Sequence, residues 1–381
     1  MAWCAAVTLF LSFSVHAGTA LLAWRRCRRP ATGSPNTPRR ASKEAWPVSV
    51  IVPVTNLADI ETSTLLSAFR LSYPDYELIF CCPDARDPAV AYLKTLMAHN
   101  RAVPARLLVG RSKTTVNPKL DNLEKGWLSA RHERIIVADS NLLMPSDFLD
   151  RMLELDSDGV GLVSSPPIGC LPQSFAADVE CGFLNTCQAR WLLASDSLGF
   201  GFGHGKAMLL KRSLIERGGG LNALTRDVAE DMAATKFVHK AGLGVRIVDR
   251  PFFQPLGVRT LGQVWHRQLR WAQLRRQSVP GFFAAEIVAT GLPAAAAGLV
   301  LAQELRLSGV LAMVLVLACY HSVEGRLARS AGWPLCWRSP IAWLVRDIMM
   351  SIIWIIAWKR KTYSWRGNAV DMSRVAAKRG P

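Results

Sequence analysis

The hydrophobic pattern divides the chain into three parts. The first 24 residues carry no charge, apart from a histidine that is neutral at pH 7, and they are long enough to cross a bilayer as a helix. Between residues 46 and 276 the apolar residues form short runs separated by stretches with helical spacing, and longer apolar segments return after residue 277. The pattern predicts a transmembrane anchor over 1–24, a globular domain over 46–276 and membrane-associated helices with a basic tail over 277–381.

The middle part has the pattern of an α/β domain. Five runs rich in Val, Ile and Leu are predicted as strands: 48–54, 76–82, 105–110, 134–140 and 159–165. Helical stretches lie between them, and strands that are apolar on both faces are typical of a mostly parallel sheet covered by helices on each side. In such sheets, ligands bind at the carboxyl ends of the strands.

Positive charge follows the first apolar segment in the run RRCRRP. This charge favours an uncleaved anchor with the next domain in the cytoplasm, although a cleaved signal peptide is an alternative. Residues 25–45 are basic, contain Pro and Ser and show no periodicity. We predict a linker there that lies against anionic headgroups.

The C-terminal part has three apolar segments, at 281–303, 307–320 and 341–358. The second is short for a membrane span, and the third contains Arg346 and Asp347. The loop and tail that flank the third segment are basic and therefore prefer the cytoplasm. A hairpin of the first two segments with an interfacial or re-entrant third segment satisfies these conditions.

Composition adds strong positive charge to this picture. The formal net charge is +17, and residues 264–277 (VWHRQLRWAQLRRQ) concentrate arginine and tryptophan. Such a stretch suits a nucleic-acid-binding helix, a helix on an anionic membrane, or the wall of a diphosphate site. In a helix, Arg267, Arg270 and Trp271 would share one face. The nine cysteines show no CxxC pair, so neither a zinc site nor a disulfide framework is predicted.

Acidic residues follow two of the predicted strands. Asp84 comes after the second strand, and Asp139, with Asn141 two residues later, closes the fourth. Each alone is more often a helix cap or a solvated loop charge, but two at the same edge of one sheet indicate a site. The oxygen ligands of Asp139 and Asn141 suit a Mg²⁺ or Mn²⁺ that bridges a diphosphate, and Lys119 would add positive charge.

A separate pair of carboxylates, Glu230 and Asp231, lies near the start of a predicted helix. A carboxylate in this position can take a proton from an attacking hydroxyl, which makes Asp231 the candidate base and Glu230 its alternative.

Together these residues resemble a known family. The set Asp84, Asp139, Asp231 and RQLRW (267–271) resembles the signature of membrane glycosyltransferases with a GT-A fold. More narrowly, the segments LSYPDYELIFCCPDARDPAV, VNPKLDNLEKGW, IIVADSN, AEDMAATK and YSWR resemble ceramide glucosyltransferases of glycosyltransferase family 21. The resemblance runs in order from about residue 48 to residue 366, and it implies a Rossmann-like GT-A sheet between membrane segments.

The resemblance also implies roles for the site residues. Asp84 and Lys119 would contact the nucleotide, Asp139 would lie at the metal and the diphosphate, and Asp231 would be the general base. Arg267, Arg270 and Trp271 would hold the diphosphate near the membrane. The implied reaction is inverting transfer from a UDP-sugar to the primary hydroxyl of ceramide, giving a β-glycosyl lipid with a divalent cation as cofactor.

Two positions depart from the family pattern. Gln188 stands where animal relatives carry histidine, and the second motif ends in Asn141 rather than glycine. The acceptor therefore stays open among ceramide, a hopanoid and diacylglycerol, because hopanoid-biosynthesis glycosyltransferases share the pattern. The sugar also stays open. The Arg- and Ala-rich composition favours a bacterial source and hence an inner-membrane, multi-pass location.

Three further functions compete with lipid glycosylation. A processive polysaccharide synthase shares the acidic and RW motifs but needs several long spans for a channel. A basic membrane scaffold explains the charge but not the acidic residues at strand ends. A nucleic-acid-binding protein fails for the same reason, since carboxylates repel phosphate unless a cation is present. We therefore expect no nucleic-acid partner.

Overall fold

The structure of the chain is a computed structural model, and it folds into two compact units. The structure describes residues 1–29, 45–58, 60–112, 117–225, 227, 229–360, 362–365 and 368–371. The sheet unit consists of residues 29–168 and 195–255, and the helical unit consists of residues 1–28, 169–194 and 256–381. Most of the predicted basic linker, residues 30–44, lies outside the described residues.

Seven strands form the central sheet, in the order β3-β2-β1-β4-β7-β5-β8. The strands of the chain are β1 Val48–Pro53, β2 Tyr76–Cys82, β3 Ala105–Val109, β4 Arg134–Ala138, β5 Val160–Ser165, β6 Pro167–Pro172, β7 Ala207–Lys211, β8 Gly244–Ile247, β9 Phe252–Gly257, β10 Thr362–Trp365 and β11 Asn368–Asp371. Strand β7 is antiparallel to β4 and β5, whereas the other pairs in this sheet are parallel. The predicted mostly parallel α/β sheet is confirmed.

Fourteen α-helices lie in the described parts of the chain. They are α1 Ala2–Cys27, α2 Glu61–Ser67, α3 Pro88–His99, α4 Pro118–Ser129, α5 Phe148–Leu153, α6 Phe175–Gly182, α7 Arg190–Ser197, α8 Arg212–Arg217, α9 Glu230–Lys240, α10 Leu261–Ser278, α11 Pro280–Glu286, α12 Gly291–Glu304, α13 Gly309–Ser330 and α14 Ser339–Lys359. A π-helical turn, Phe183–Ala189, continues α6.

Helices cover both faces of the central sheet. Successive residues of β1 point to opposite faces, so that Val50 and Val52 enter one apolar layer and Ile51 enters the other. The first layer includes residues of α2, α3 and α5, and the second includes residues of α4, α8 and α9. Burial on both faces explains why these strands have almost no polar positions.

Side-chain caps fix the first residues of α4 and α10, the helices that carry Lys119 and the basic stretch. Helix α4 has Pro118 at its first turn, and the Asn117 side chain accepts hydrogen bonds from the backbone amides of Lys119 and Leu120. Helix α10 begins with a capping box, in which Thr260 and Gln263 each accept from the other's backbone amide. These caps fix the positions of Lys119 and of the basic stretch after residue 264.

In the described part of the helical unit, three helices are long and apolar enough to cross a membrane, namely α1, α13 and α14. Helices α11 and α12 meet at a 49° bend and add a fourth span if they are counted together. The break therefore falls in the segment predicted as the first C-terminal span, at Ile287–Ala289. The segment predicted to be interfacial or re-entrant is the continuous helix α14.

Helix α14 accommodates its charged residues because they are paired and buried. Arg346 Nη2 lies 2.8 Å from Asp347 Oδ1, and Arg346 Nη1 lies 2.8 Å from Glu324 Oε2 on α13. Thr186 Oγ1 accepts a further hydrogen bond from Arg346. The pair of Arg346 and Asp347 is thus part of a buried network that joins three helical segments.

Candidate active site

The site in the sheet unit begins at the junction of β4 and β7. Ala138 pairs with Ala207 in the antiparallel ladder, and one residue further along the Asp139 amide donates to the Lys206 carbonyl at 2.9 Å. Asp139 and Lys206 are therefore cross-strand neighbours. Their side chains also meet, since Lys206 Nζ lies 2.9 Å from Asp139 Oδ2. Lys206 Nζ donates a second bond to Asn141 Oδ1 at 3.1 Å.

Lys119 reaches the same carboxylate from the first turn of α4. Its Nζ lies 2.9 Å from Asp139 Oδ1 and 2.8 Å from Glu230 Oε1. It also donates to the Gly205 carbonyl at 2.8 Å. One ammonium thus joins the end of β4, the start of α9 and the loop before β7.

Glu230 and Asp231 have different surroundings although they are adjacent in sequence. Glu230 Oε2 accepts from Asn117 Nδ2 at 3.0 Å, and its other oxygen meets Lys119. Asp231 Oδ2 accepts from the Gly205 amide at 2.9 Å, and its Oδ1 accepts from the Met232 amide at 2.8 Å. Glu230 is held by charged and amide side chains, whereas the two hydrogen bonds recorded to the Asp231 carboxylate come from backbone amides.

These surroundings separate the pKa values of the two carboxyl groups. Burial and the adjacent Glu230 charge raise the pKa of Asp231 to about 6, although Lys119 and the two amides oppose the rise. Burial also acts to raise the pKa of Glu230, but the Lys119 ammonium and its hydrogen bond outweigh it and lower that pKa. Asp231 is therefore the group that exchanges a proton near neutral pH, which favours Asp231 over Glu230 as the base.

The ammonium groups of Lys119 and Lys206 both favour the ionised form of Asp139. Burial opposes ionisation of Asp139, but Lys119 and Lys206 together hold its pKa well below its usual range. The Asp139 and Glu230 charges in turn outweigh burial and raise the pKa of Lys119. Lys119 therefore stays cationic at neutral pH, so this edge of the sheet offers fixed positive charge to an anionic ligand.

The glycine-rich run before β7 is a close-packed part of the site. A Cβ at Gly205 would lie 3.1 Å from Glu230 Oε1, 3.3 Å from Lys119 Nζ and 3.5 Å from Asp231 Oδ2. His204 in the same run bonds through its backbone to Ser164 Oγ, and burial together with Lys206 lowers its pKa to about 3. His204 is thus a neutral residue near neutral pH.

Asp139 and Asn141 do not offer a ready site for a divalent cation. Both Asp139 oxygens and Asn141 Oδ1 meet lysine ammonium groups. Of the nearby carboxylates, Glu230 meets Lys119 and Asn117, and Glu61 accepts from Ser140 Oγ and from the Ala58 amide. Within the described ranges no group of three or more His, Cys, Asp or Glu side chains is arranged to hold a metal ion. A cation at the predicted ligands would have to displace Lys206.

Asp84 lies beyond the carboxyl end of β2, as predicted. Its side chain is exposed and accepts hydrogen bonds from the Arg86 backbone amide, at 2.9 Å, and from the Arg86 side chain. These two hydrogen bonds lower the pKa of Asp84. The structure does not record a contact between Asp84 and the lysine–carboxylate cluster. A role for Asp84 in nucleotide binding stays a prediction.

The basic stretch belongs to α10 of the helical unit. Arg267 Nη1 pairs with Glu180, which is fully buried on α6 and also lies 3.5 Å from Arg259 Nε. Leu269 and Trp265 contribute to one apolar cluster of this unit, and Trp271 packs against another. The diphosphate role of Arg267, Arg270 and Trp271 stays a prediction.

The structure adds Lys206 and Gly205 to the residues predicted from sequence. Lys206 was missed because β7 was not predicted, and its partner strand β4 is 65 residues or more away along the chain. The available signal was a short polar dipeptide, Gly205-Lys206, directly before the apolar run 207–210. Many loops end in such a dipeptide, so the sequence does not single it out. The antiparallel register of β4 and β7 places it beside Asp139.

Comparison with known proteins agrees with this fold. Residues 6–376 match the sequence profile of Glycosyl transferase family 21. Ceramide glucosyltransferase 3 of Caenorhabditis elegans is 26% identical over 336 residues, which cover 86% of this chain and 72% of that protein. Ceramide glucosyltransferase 1 of the same organism is 27% identical over 241 residues, which cover 63% of this chain and 52% of that protein.

Among solved structures, the mannosyltransferase PcManGT from Pyrobaculum calidifontis, in complex with GDP-Man and Mn²⁺, shares the fold. Its TM-score is 0.50 at 19% identity, over 92% of this chain and 97% of that one. The sheet topology and this likeness define a GT-A fold. The chain belongs to glycosyl transferase family 21.

Proposed function

We propose that this glycosyltransferase moves a sugar from a UDP-sugar to the primary hydroxyl of a membrane lipid, with ceramide as the acceptor. The observation that carries the proposal is the position of Asp231, a carboxyl group with a raised pKa beside a cluster of two lysines. The similar Caenorhabditis elegans proteins are ceramide glucosyltransferases. Helices able to cross a membrane fit an acceptor that is itself a membrane lipid.

In the proposed reaction, ionised Asp231 accepts the proton of the lipid hydroxyl. The hydroxyl oxygen then attacks the anomeric carbon of the sugar as the bond from that carbon to the diphosphate breaks. UDP leaves as an anion, and Lys119 and Lys206 stabilise the charge that develops on it. One displacement inverts the configuration at the anomeric carbon and gives a β-glycosyl lipid without a covalent intermediate.

The remaining residues have supporting roles in this proposal. Asp139 holds the two lysines, and Glu230 orients Lys119 while keeping the pKa of Asp231 raised. Asp84 contacts the nucleotide, and Arg267, Arg270 and Trp271 bind the diphosphate. A Mg²⁺ or Mn²⁺ at Asp139 and Asn141 would add charge neutralisation only after displacing Lys206.

The proposed arrangement puts the catalytic domain on the cytoplasmic side of a bacterial inner membrane. The basic residues after α1 support this orientation. Protease digestion of sealed inner-membrane vesicles tests it, since an inside-out vesicle should expose the sheet unit and a right-side-out vesicle should protect it.

A transfer assay tests the reaction. Purified membranes that contain the protein receive UDP-glucose, UDP-galactose, UDP-glucuronic acid or UDP-N-acetylglucosamine with ceramide, diacylglycerol or a hopanoid polyol, and products are read by mass spectrometry. We expect a β-glycosylceramide that disappears with Asp231→Asn and persists with Asp158→Asn, a change at an exposed aspartate away from the site. A glycosylated hopanoid alone would correct the acceptor, and no product from any pair would refute the proposed function.

A further inference from the structure

Lys206 lies where the sequence pattern predicts a divalent cation. The same two residues that were expected to bind the metal, Asp139 and Asn141, accept from Lys206 Nζ at 2.9 and 3.1 Å. The side chain of Lys206 is only 11% exposed, so its ammonium is held inside the site. An oxygen pair that suits Mg²⁺ or Mn²⁺ also suits a protonated amine, since both ligands offer lone pairs to a compact cation.

The number of hydrogen-bond donors distinguishes the two lysines of the site. A lysine ammonium has three N–H donors. Lys119 has three acceptors at 2.8 to 2.9 Å, on Asp139, Glu230 and Gly205. Lys206 has two recorded acceptors among the described residues, which leaves one N–H for a ligand. Lys206 is therefore the lysine that can bond a phosphate oxygen without giving up a protein partner.

A divalent cation would compete poorly with this arrangement. It would have to take Asp139 and Asn141 from Lys206 and would then lie close to two ammonium groups, which repel it. Of the two predicted ligands, only Asp139 is a carboxylate, and its two oxygens are already paired with Lys119 and Lys206. The nearby Glu61 is bonded to Ser140 and to the Ala58 amide.

We propose that Lys206, held by Asp139 and Asn141, binds the donor diphosphate directly, and that sugar transfer by this protein does not require a divalent cation. The proposal rests on the proposed glycosyl transfer and adds the group that performs its charge neutralisation. As the reacting bond breaks, the electron pair goes to the departing diphosphate oxygen. The Lys206 ammonium stabilises that charge through a hydrogen bond and keeps its proton.

The test begins with nucleotide binding and transfer in the absence of metal. Full-length protein in detergent is treated with EDTA, UDP binding is measured by calorimetry, and transfer is measured with the donor and acceptor found active above. Losing one charge-assisted bond should weaken UDP binding about 10- to 100-fold in Lys206→Met. Lys240→Met, at an exposed lysine of α9, should bind UDP as the unaltered protein does.

Addition of Mn²⁺ provides the second readout, through the electron paramagnetic resonance signal of the free ion. The unaltered protein should leave this signal unchanged and should transfer sugar equally well in EDTA and in Mn²⁺. Lys206→Ala should bind Mn²⁺ at the vacated oxygens and regain part of its transfer activity with it. Asp139→Asn added to Lys206→Ala should abolish that binding.

Two results would overturn the inference. One is unaltered protein that binds Mn²⁺ and loses transfer about 10-fold or more in EDTA, and the other is Lys206→Met with unchanged UDP affinity. Either leaves the proposed function intact because transfer is still observed. Failure of the proposed function is different, since no donor and acceptor pair would then react with or without Mn²⁺.

Discussion

Asp231 and Gly205 are joined by a hydrogen bond of 2.9 Å from the Gly205 amide to Asp231 Oδ2. The Gly205 carbonyl accepts from Lys119 at 2.8 Å, so one peptide segment touches both the proposed base and a cation of the diphosphate site. This segment precedes β7, the antiparallel strand of the central sheet. The segment before the reversed strand thus brings a backbone amide to the Asp231 carboxylate.

Gly205→Ala tests whether this close contact matters. The added Cβ would lie 3.1 Å from Glu230 Oε1 and 3.3 Å from Lys119 Nζ, so these two groups must shift by a few tenths of an ångström beside Asp231. We expect transfer to fall roughly 10-fold, because small misplacements of reacting groups are costly. Gly159→Ala is the matched control, since its Cβ would meet no atom within 4 Å. Equal transfer by the two variants would show that the contact is unimportant.

Lys119→Met should destabilise the protein as well as inactivate it. The lysine neutralises Asp139 and Glu230, and its removal leaves Glu230 without its cation in a buried place. Breaking such a pair costs about 3 kcal/mol, which should lower the thermal unfolding midpoint in detergent by roughly 5 °C or more. Adding Glu230→Gln should restore part of the midpoint. Failure of this second change to restore any stability would contradict the assigned pairing.

Arg267→Met separates a structural role from a role in binding the diphosphate. Arg267 pairs with fully buried Glu180, so the single change should lower the unfolding midpoint. The double change Arg267→Met with Glu180→Gln removes the buried charge that Arg267 neutralised and should recover part of the midpoint, since Arg259 also loses its partner. We expect transfer to stay about 10-fold or more below normal in the double variant because the diphosphate contact is still missing. Recovery of transfer together with stability would assign Arg267 to folding alone.

Arg346→Met should be among the most destabilising single changes in the helical unit. It would leave Glu324 and Asp347 buried without their cation, at a cost of about 3–5 kcal/mol. Arg329→Met, at an exposed arginine near the end of α13, should leave the unfolding midpoint unchanged. Size-exclusion profiles and thermal unfolding of the two detergent-purified variants compare these outcomes. A normal midpoint for Arg346→Met would show that the network contributes little to stability.

Much of the fold could be predicted because its strands carry strong local signals. The five predicted strands all occur, with ends that differ by two residues at most, since β1, β2 and β4 are apolar on both faces. The position of strand β7 in the sheet could not be predicted, because no local sequence pattern indicates which strands lie beside it. The insertion of β7 between β4 and β5 is a tertiary pairing, and it changes the sheet order.

The candidate site was predictable in its carboxylates and in one of its two lysines, Lys119, but not in Lys206. Asp139 and Asp231 were found from strand ends and helix starts, and Lys119 from the segment around Asn117. No local sequence pattern marks Lys206 as a site residue. It lies in the site because the β4–β7 register places it opposite Asp139. The bend between α11 and α12 was also missed, although Gly291 and Pro293 follow it directly in the apolar segment 281–303.

The pH dependence of kcat/KM tests the central claim, that Asp231 is the base, most directly. Because the pKa of Asp231 is about 6, the base form predominates above that pH, and kcat/KM should fall about tenfold per pH unit below it. The groups that face Asp231 are Glu230 on the same helix and Lys119 on α4; His204, with a pKa of about 3, does not titrate in this range.

Glu230→Gln removes the charge that helps to raise the pKa of Asp231, so the acid limb of the profile should move to lower pH. Asp231→Asn should lower kcat/KM by about 10²- to 10⁴-fold at pH 8, whereas Asp158→Asn should change neither the rate nor the limb. These profiles are the measurement to make first. An acid limb near pH 6 that shifts downward in Glu230→Gln is the predicted result, and a limb that stays in place, or substantial transfer by Asp231→Asn, would contradict the account.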